Sequence, residues 1–98
     1  MTIEKNLNGT ELTVAIIGRL DTITAPELEA TLAASFAGVE KLVFDLASLE
    51  YLSSAGLRVL LQSQKVMNKQ GEMVVRNVNT TISEIFDVTG FSDILTIE

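Results

Sequence analysis

The sequence predicts an α/β fold: an N-terminal β-hairpin, then helices alternating with strands around one mixed sheet. Three observations predict it. Apolar runs flank the dipeptide Asn8-Gly9 near the start. Two stripes at helical spacing follow, Leu28, Leu32, Ser35 and Phe36, then Leu57, Leu60, Leu61, Gln64 and Met67. Between them lies a short, nearly continuous apolar run over residues 42–46, and a helix placed between two such strands is the pattern of a parallel crossover.

Residues 3–7 and 12–17 read as two strands joined by Asn8-Gly9, a type I′ dipeptide because both residues tolerate positive φ. Gly18 is expected to end the second strand. Thr24-Ala25-Pro26-Glu27 matches a capping box, with Pro26 in the first turn where its missing donor costs nothing. A first helix is therefore expected over residues 26–37, with Gly38 as its stop. Residues 42–46 suit a central strand covered on both faces.

From there the chain reads as a short loop up to Ser53-Ser54, where a second helix opens that runs to Gly71. Residues 73–75 with Val78 read as the next strand, and Thr81-Ile82-Ser83-Glu84 as a second capping box opening a short helix that Gly90 closes. Residues 93–97 read as a last strand. The count is about three to four helices in one domain over residues 1–98, since no repeat, low-complexity tract or Pro/Ser-rich linker marks a boundary.

With 47% apolar and 20% charged residues, the chain falls among folded rather than disordered sequences. Its net charge of -6 lacks the basic stripe that phosphate backbones demand, which argues against nucleic acid or an anionic membrane surface as a direct partner. No apolar run approaches the ~20 residues that cross a bilayer, and Met1-Thr2-Ile3-Glu4-Lys5 has no signal-peptide character, so a cytoplasmic protein without membrane insertion is expected. There is no cysteine and no histidine. Their absence excludes Ser-His-Asp and Cys-His catalysis and removes the usual ligands of zinc and redox metals.

The Ser53-Ser54 pair stands where the apolar run gives way to a helix. A helix N-terminus carries unpaired N–H groups and about half a positive charge, so a phosphate added there is held by the backbone itself. The plain alternative is an N-cap worth roughly 1 kcal/mol. Neither Gly-x-Ser-x-Gly nor Ser-x-x-Lys occurs, so Ser54 is cast as an acceptor rather than a nucleophile. Gly-x-x-x-x-Gly-Lys-Ser/Thr and Gly-x-Gly-x-x-Gly are absent too, and with them the cradles for nucleotide phosphates; no cofactor or metal is expected, and no enzyme. Gly56 allows two readings, close packing or room for another chain, and spacing does not choose between them. Arg58 is either a solvated helix residue or a partner for an acidic group or phosphate. Tyr51, Leu52 and Phe91 are either interface anchors or core, a choice that exposure decides.

These residues resemble the STAS family, and within it the small stand-alone anti-sigma factor antagonists. The resemblance rests on Gly18-Arg19-Leu20-Asp21 with Thr24-Ala25, on residues 42–46 leading into Tyr51-Leu52-Ser53-Ser54-Ala55-Gly56-Leu57, and on Gly71-Glu72-Met73-Val74-Val75 with residues 85–91, in family order and spacing. It implies that Ser54 is phosphorylated by an anti-sigma factor serine kinase. Family members read Asp-Ser-Ser-Gly or Asp-Ser-Thr-Gly at the helix start, and this chain departs twice, with Ser53 for the aspartate and Ala55 for the second hydroxyl residue. Asp21 matches an aspartate that in such proteins lies near the phosphoacceptor.

The implied partner surface is Asp21, Thr22, Ser53, Ala55, Gly56, Leu57 and Arg58. The implied mechanism is partner switching by a monomer: the unmodified chain binds the anti-sigma factor and frees a sigma factor, phosphorylation releases it, and a serine phosphatase resets it. The alternative within the same family is a constitutive scaffold or regulatory subunit of a larger complex, such as a transporter assembly.

Overall fold

The computed structural model describes residues 1–98. β1 (Thr2–Asn8) and β2 (Glu11–Leu20) form the antiparallel hairpin. Asn8 pairs with Glu11, so the loop residues are Gly9 and Thr10 rather than Asn8 and Gly9. Only Gly9, at φ +65°, lies in the positive region, whereas a type I′ turn needs both central residues there. Register is set by β2 itself: Leu12, Val14 and Ile16 are buried, and a slip of one residue would turn all three outward.

α1 (Ala25–Ala33) buries Leu28 and Leu32 as the stripe requires, but it stops short of the expected end, leaving Ser35 and Phe36 beyond it. Its capping box does not form, because Thr24 has helical φ and ψ and makes no side-chain cap bond. β3 (Lys41–Asp45) lies between β2 and β5 (Glu72–Arg76), parallel to both, in the order β1-β2-β3-β5. Leu42, Val43 and Phe44 are all buried, which is why the run shows no alternation.

Both crossovers step the same way across the sheet, and right-handed connections then place α1 and α2 (Ser54–Met67) on one face. A single cluster joins Leu28, Leu32, Leu60 and Met67 to Leu12, Val14, Ile16, Leu42 and Phe44, and α3 (Thr80–Thr89) adds Ile82 and Phe86. On the other face, Lys41 sits between Glu11 and Glu72, 3.8 Å from each.

α2 ends at Met67, before Gly71. Gly71 serves a different purpose: a Cβ there would lie 1.8 Å from the Glu40 carbonyl oxygen, so the two backbones meet at that point. The cap of α3 is Asn79, whose side-chain oxygen accepts the Ile82 N–H at 2.9 Å, in place of the expected Thr81 box. Gly90, at φ +82°, closes that helix as expected. Residues 93–97 do not form a strand. A 3₁₀ turn occupies Phe91–Asp93, and only Ile97 bridges to Val75.

The sequence reading missed β4 (Leu49–Leu52), a four-residue strand with Leu49 and Leu52 buried and Glu50 and Tyr51 exposed. Two adjacent exposed residues between two buried ones break the period of two, so no alternation signals it. It pairs in parallel with the far end of β2, which continues through Gly18 to Leu20 instead of stopping there.

Candidate interaction site at the start of α2

The site is built around an irregularity at Gly18. The β2–β4 register shifts between Gly18 and Arg19, and Gly18 takes φ +95°, a conformation that suits a bulge glycine. Its N–H donates to the Ser48 carbonyl at 3.0 Å. β2 thereby leaves β3 and takes β4 as neighbour, pairing Arg19 with Tyr51 and Leu20 with Leu52. The Ser53 N–H extends that pairing to the Leu20 carbonyl at 2.9 Å. Asp21, which follows Leu20, is thus brought beside Ser53-Ser54, thirty-odd residues further along the chain.

Asp21 organises the loop before α1. Its Oδ1 accepts the backbone N–H groups of Ile23 and Thr24, each at 3.0 Å. The Thr24 hydroxyl accepts the Asp21 N–H at 2.9 Å and lies 2.9 Å from the Arg19 carbonyl, its better acceptor. Thr24 is therefore committed to the loop, which explains the failed capping box. Arg19 adds a charge 4.0 Å from the Asp21 carboxylate and stacks on the Tyr51 ring at 4.3 Å from its centroid.

The Thr24 N–H foremost holds the Asp21 carboxyl below the ordinary carboxylate range; desolvation, the next largest effect, opposes it, and the Ile23 N–H, the Thr24 hydroxyl and the Arg19 charge add to the lowering. A depressed native value means that the ionised carboxylate contributes stability at neutral pH, and that this contribution is lost as pH falls from the ordinary carboxylate range through the native value. Asp21→Asn is accordingly expected to be less stable than the parent at pH 7 and to lose less of its stability between pH 5 and pH 2. Parallel denaturant melts across that range check it, and identical slopes for the two proteins would contradict it.

Ser53 caps α2, its hydroxyl accepting the Gly56 N–H at 3.4 Å, a long bond. Ser54 is the first helical residue and is exposed. The N–H groups of Ser54 and Ala55 have no intrahelical acceptor. The first turn of α2 carries no acidic side chain, so no residue of the helix itself offsets the positive end of its dipole. Arg58 follows four residues after Ser54, exposed and without an ion pair in the fold.

Two clefts flank the Ser54 end of the helix. Thr22, Ala55 and Arg58 share one of about 190 Å³ with Pro26 and Glu29 of α1. Ser54, Leu57 and Arg58 share another of about 340 Å³ with Thr89 and Phe91. Arg58 lines both. Gly56 is placed differently, since a Cβ there would meet Leu52 Cδ1 at 2.6 Å and Leu20 Cγ at 2.8 Å. Of its two readings, the geometry fits close packing against the end of β2. Leu57 is buried in the core, touching the second cleft only at its margin.

Among the apolar loop residues, Leu52 is core, Tyr51 is exposed and Phe91 is half-buried. Sequence reasoning missed Ile23, whose side chain stands almost wholly in solvent; its only signal was an apolar residue inside a polar turn. Ser63, another hydroxyl of α2, is buried and donates to the Val59 carbonyl at 2.9 Å.

A mixed sheet with its helices gathered on one face, and a serine opening a helix at the sheet's edge, is the arrangement of a STAS domain. The chain belongs to the STAS domain family, whose profile matches residues 2–98. BtrV of Bordetella bronchiseptica, a protein assigned as an anti-sigma factor antagonist, is 39% identical over 85 residues, covering 85% of this chain and 73% of that protein. The anti-sigma-B factor antagonist of Bacillus subtilis is 29% identical over 96 residues, covering 97% of this chain and 88% of that protein. The crystal structure of an anti-sigma factor antagonist from Mycobacterium paratuberculosis superimposes with a TM-score of 0.89 at 26% identity, covering 98% of this chain and 83% of that one. These bacterial STAS proteins are regulators and not enzymes, and this chain is of the same kind. No helix is long and apolar enough to cross a membrane.

Proposed function

We propose that this protein is an anti-sigma factor antagonist that works by partner switching, with Ser54 as its phosphoacceptor. Unmodified, it binds an anti-sigma factor with serine kinase activity and frees the sigma factor; phosphorylated, it leaves that partner, and a serine phosphatase returns it to the binding form. The reading places the protein in the cytoplasm with the transcription machinery. The observation that carries it is the exposed Ser54 hydroxyl at the first position of α2, next to two unpartnered N–H groups and the positive end of a helix whose first turn holds no acidic side chain. A phosphate of charge about -1.5 to -2 is held comfortably there by the chain itself and badly by an interface that must exclude water from it.

Ser54 Oγ attacks the terminal phosphorus of ATP bound to the kinase, ADP leaves, and the hydroxyl proton passes to a base of the kinase. Asp21, Thr22, Ser53, Ala55 and Arg58 serve with the hydroxyl as the docking surface. Gly56 and Leu57 support it from beneath, Gly56 by letting α2 approach Leu20 and Leu52. Incubation with the kinase and ATP should raise the mass by one phosphate, and Ser54→Ala should abolish the increase. A phosphate mapped to Thr22 would contradict the assignment, and Ser63 is too deeply buried to compete.

The departures at Ser53 and Ala55 support a second reading, a constitutive STAS scaffold in a larger complex, such as a transporter assembly. A parent chain that gains no phosphate from any anti-sigma factor kinase of its own cell, yet purifies in a stoichiometric complex, would favour that reading.

A further inference from the structure

We propose that Ile23 is an apolar anchor that inserts into a hydrophobic pocket of the anti-sigma factor when the unmodified chain docks; the inference rests on the partner-switching reading above. Ile23 is 88% exposed, level with Val88 as the most exposed large apolar side chain in the molecule. A single exposed apolar residue needs no explanation by itself. What sets Ile23 apart is how it is held and where.

Its own N–H is bound by Asp21 Oδ1 at 3.0 Å, as is that of the next residue, and the Thr24 hydroxyl ties the turn to Asp21 and Arg19 on the other side. The turn is thus fixed on both sides of an isoleucine that packs against nothing in its own chain. Fixing the backbone that carries a side chain before contact removes ordering entropy that binding would otherwise have to overcome, and a β-branched residue brings little rotamer freedom of its own. The turn also adjoins the phosphoacceptor: Thr22, the neighbour of Ile23, lines the same cleft as Ala55 and Arg58 of the first turns of α2. An anchor at this place would be buried together with the Ser54 hydroxyl, the geometry in which a few fully desolvated side chains carry most of an interface's energy.

Val88 provides the contrast. It is equally exposed and, like Ile23, lines neither cleft itself, although its neighbour Thr89 lines the second. But it lies on α3 two residues past the core residue Phe86, about half a helical turn round and so facing outward, and it has no turn braced by side chains beneath it as Ile23 has. Binding of the purified anti-sigma factor kinases of the source bacterium to the unmodified chain, measured by calorimetry, tests the proposal. Ile23→Ser should weaken the complex by about tenfold or more, Ile23→Val should retain most of the affinity, and Val88→Thr should change it by less than about twofold. Unaltered melting temperatures would show that the variants fold alike.

If Ile23→Ser binds as tightly as the parent while Ser54→Glu releases the kinase, the anchor is wrong and the switching reading stands. If Val88→Thr weakens binding as much as Ile23→Ser, general surface hydrophobicity accounts for the effect and the anchor is again wrong. If the parent binds none of the kinases, the partner reading fails and the anchor fails with it.

Discussion

Ser54→Glu is expected to weaken binding of the chain to its anti-sigma factor by more than a hundredfold, while leaving the fold as stable as the parent or slightly more so. The two effects have opposite signs because the same charge meets two environments. Within the free chain the new carboxylate stands at the first helical position, beside unpartnered N–H groups and the positive end of the dipole, where it is worth about 0.3–1 kcal/mol in favour of the helix. In a docked interface it must shed water that the exposed Arg58, four residues on, does not fully replace, and a loss of ~3 kcal/mol corresponds to more than a hundredfold in Kd. Calorimetric titration and a thermal melt on the same preparation read both. Equal affinity for parent and mimic would rule out charge repulsion as the switch even if Ser54 carries the phosphate, and a large drop in melting temperature would mean that the mimic reports on folding.

Gly71→Ala is expected to produce the largest loss of stability among single-methyl additions. The added Cβ would lie 1.8 Å from the Glu40 carbonyl oxygen and 2.6 Å from its carbon, and both are backbone atoms with no rotamer into which to retreat. That carbonyl is already engaged, accepting the Glu72 N–H at 3.0 Å, while the Glu40 N–H is bound to the Thr10 carbonyl at 2.9 Å. Relief requires the starts of β3 and β5 to separate, which undoes the bond that leads into their ladder. A cost of about 3 kcal/mol is expected, a large fraction of the ~5–15 kcal/mol that holds an ordinary domain, and at this size it lowers Tm by roughly 15 °C. Gly56→Ala is the milder comparison, because the atoms it meets belong to the side chains of Leu20 and Leu52. A Tm equal to the parent's would show that the strand ends part without penalty.

The parts of the fold that were legible in the sequence are those where one physical signal decides the outcome. The continuous run at 42–46 became the central strand because a strand buried on both faces has no polar side to show. The Leu28 and Leu32 part of the α1 stripe, the buried positions Leu57, Leu60 and Met67 of α2 and the stop at Gly90 were equally plain. Misplaced details were those in which two local partners compete. Thr24 looks like a cap until Asp21 claims it, Asn79 wins the cap of α3 from Thr81, and Gly18 reads as a terminator although it is a bulge within a longer strand. β4 was illegible because four residues with two adjacent exposed positions carry neither period. At the site, the position of Ser54 at the start of α2 was legible from local sequence, whereas its proximity to the Asp21 turn depends on the pairing of β2 with β4, and the inward placement of Gly56 and Leu57 depends on packing.

The shift at Gly18 divides β2 into two segments that answer to different neighbours. Residues before it are aligned by β1, β3 and the apolar interior, through Leu12, Val14 and Ile16; residues after it are aligned by β4, with Leu20 alone still reaching the interior. Changes in length or chemistry beyond Leu20 therefore reorient the tip that meets other molecules without disturbing the hydrophobic side of the hairpin. Descendants of such a chain are free to trade one binding companion for another while inheriting the same interior.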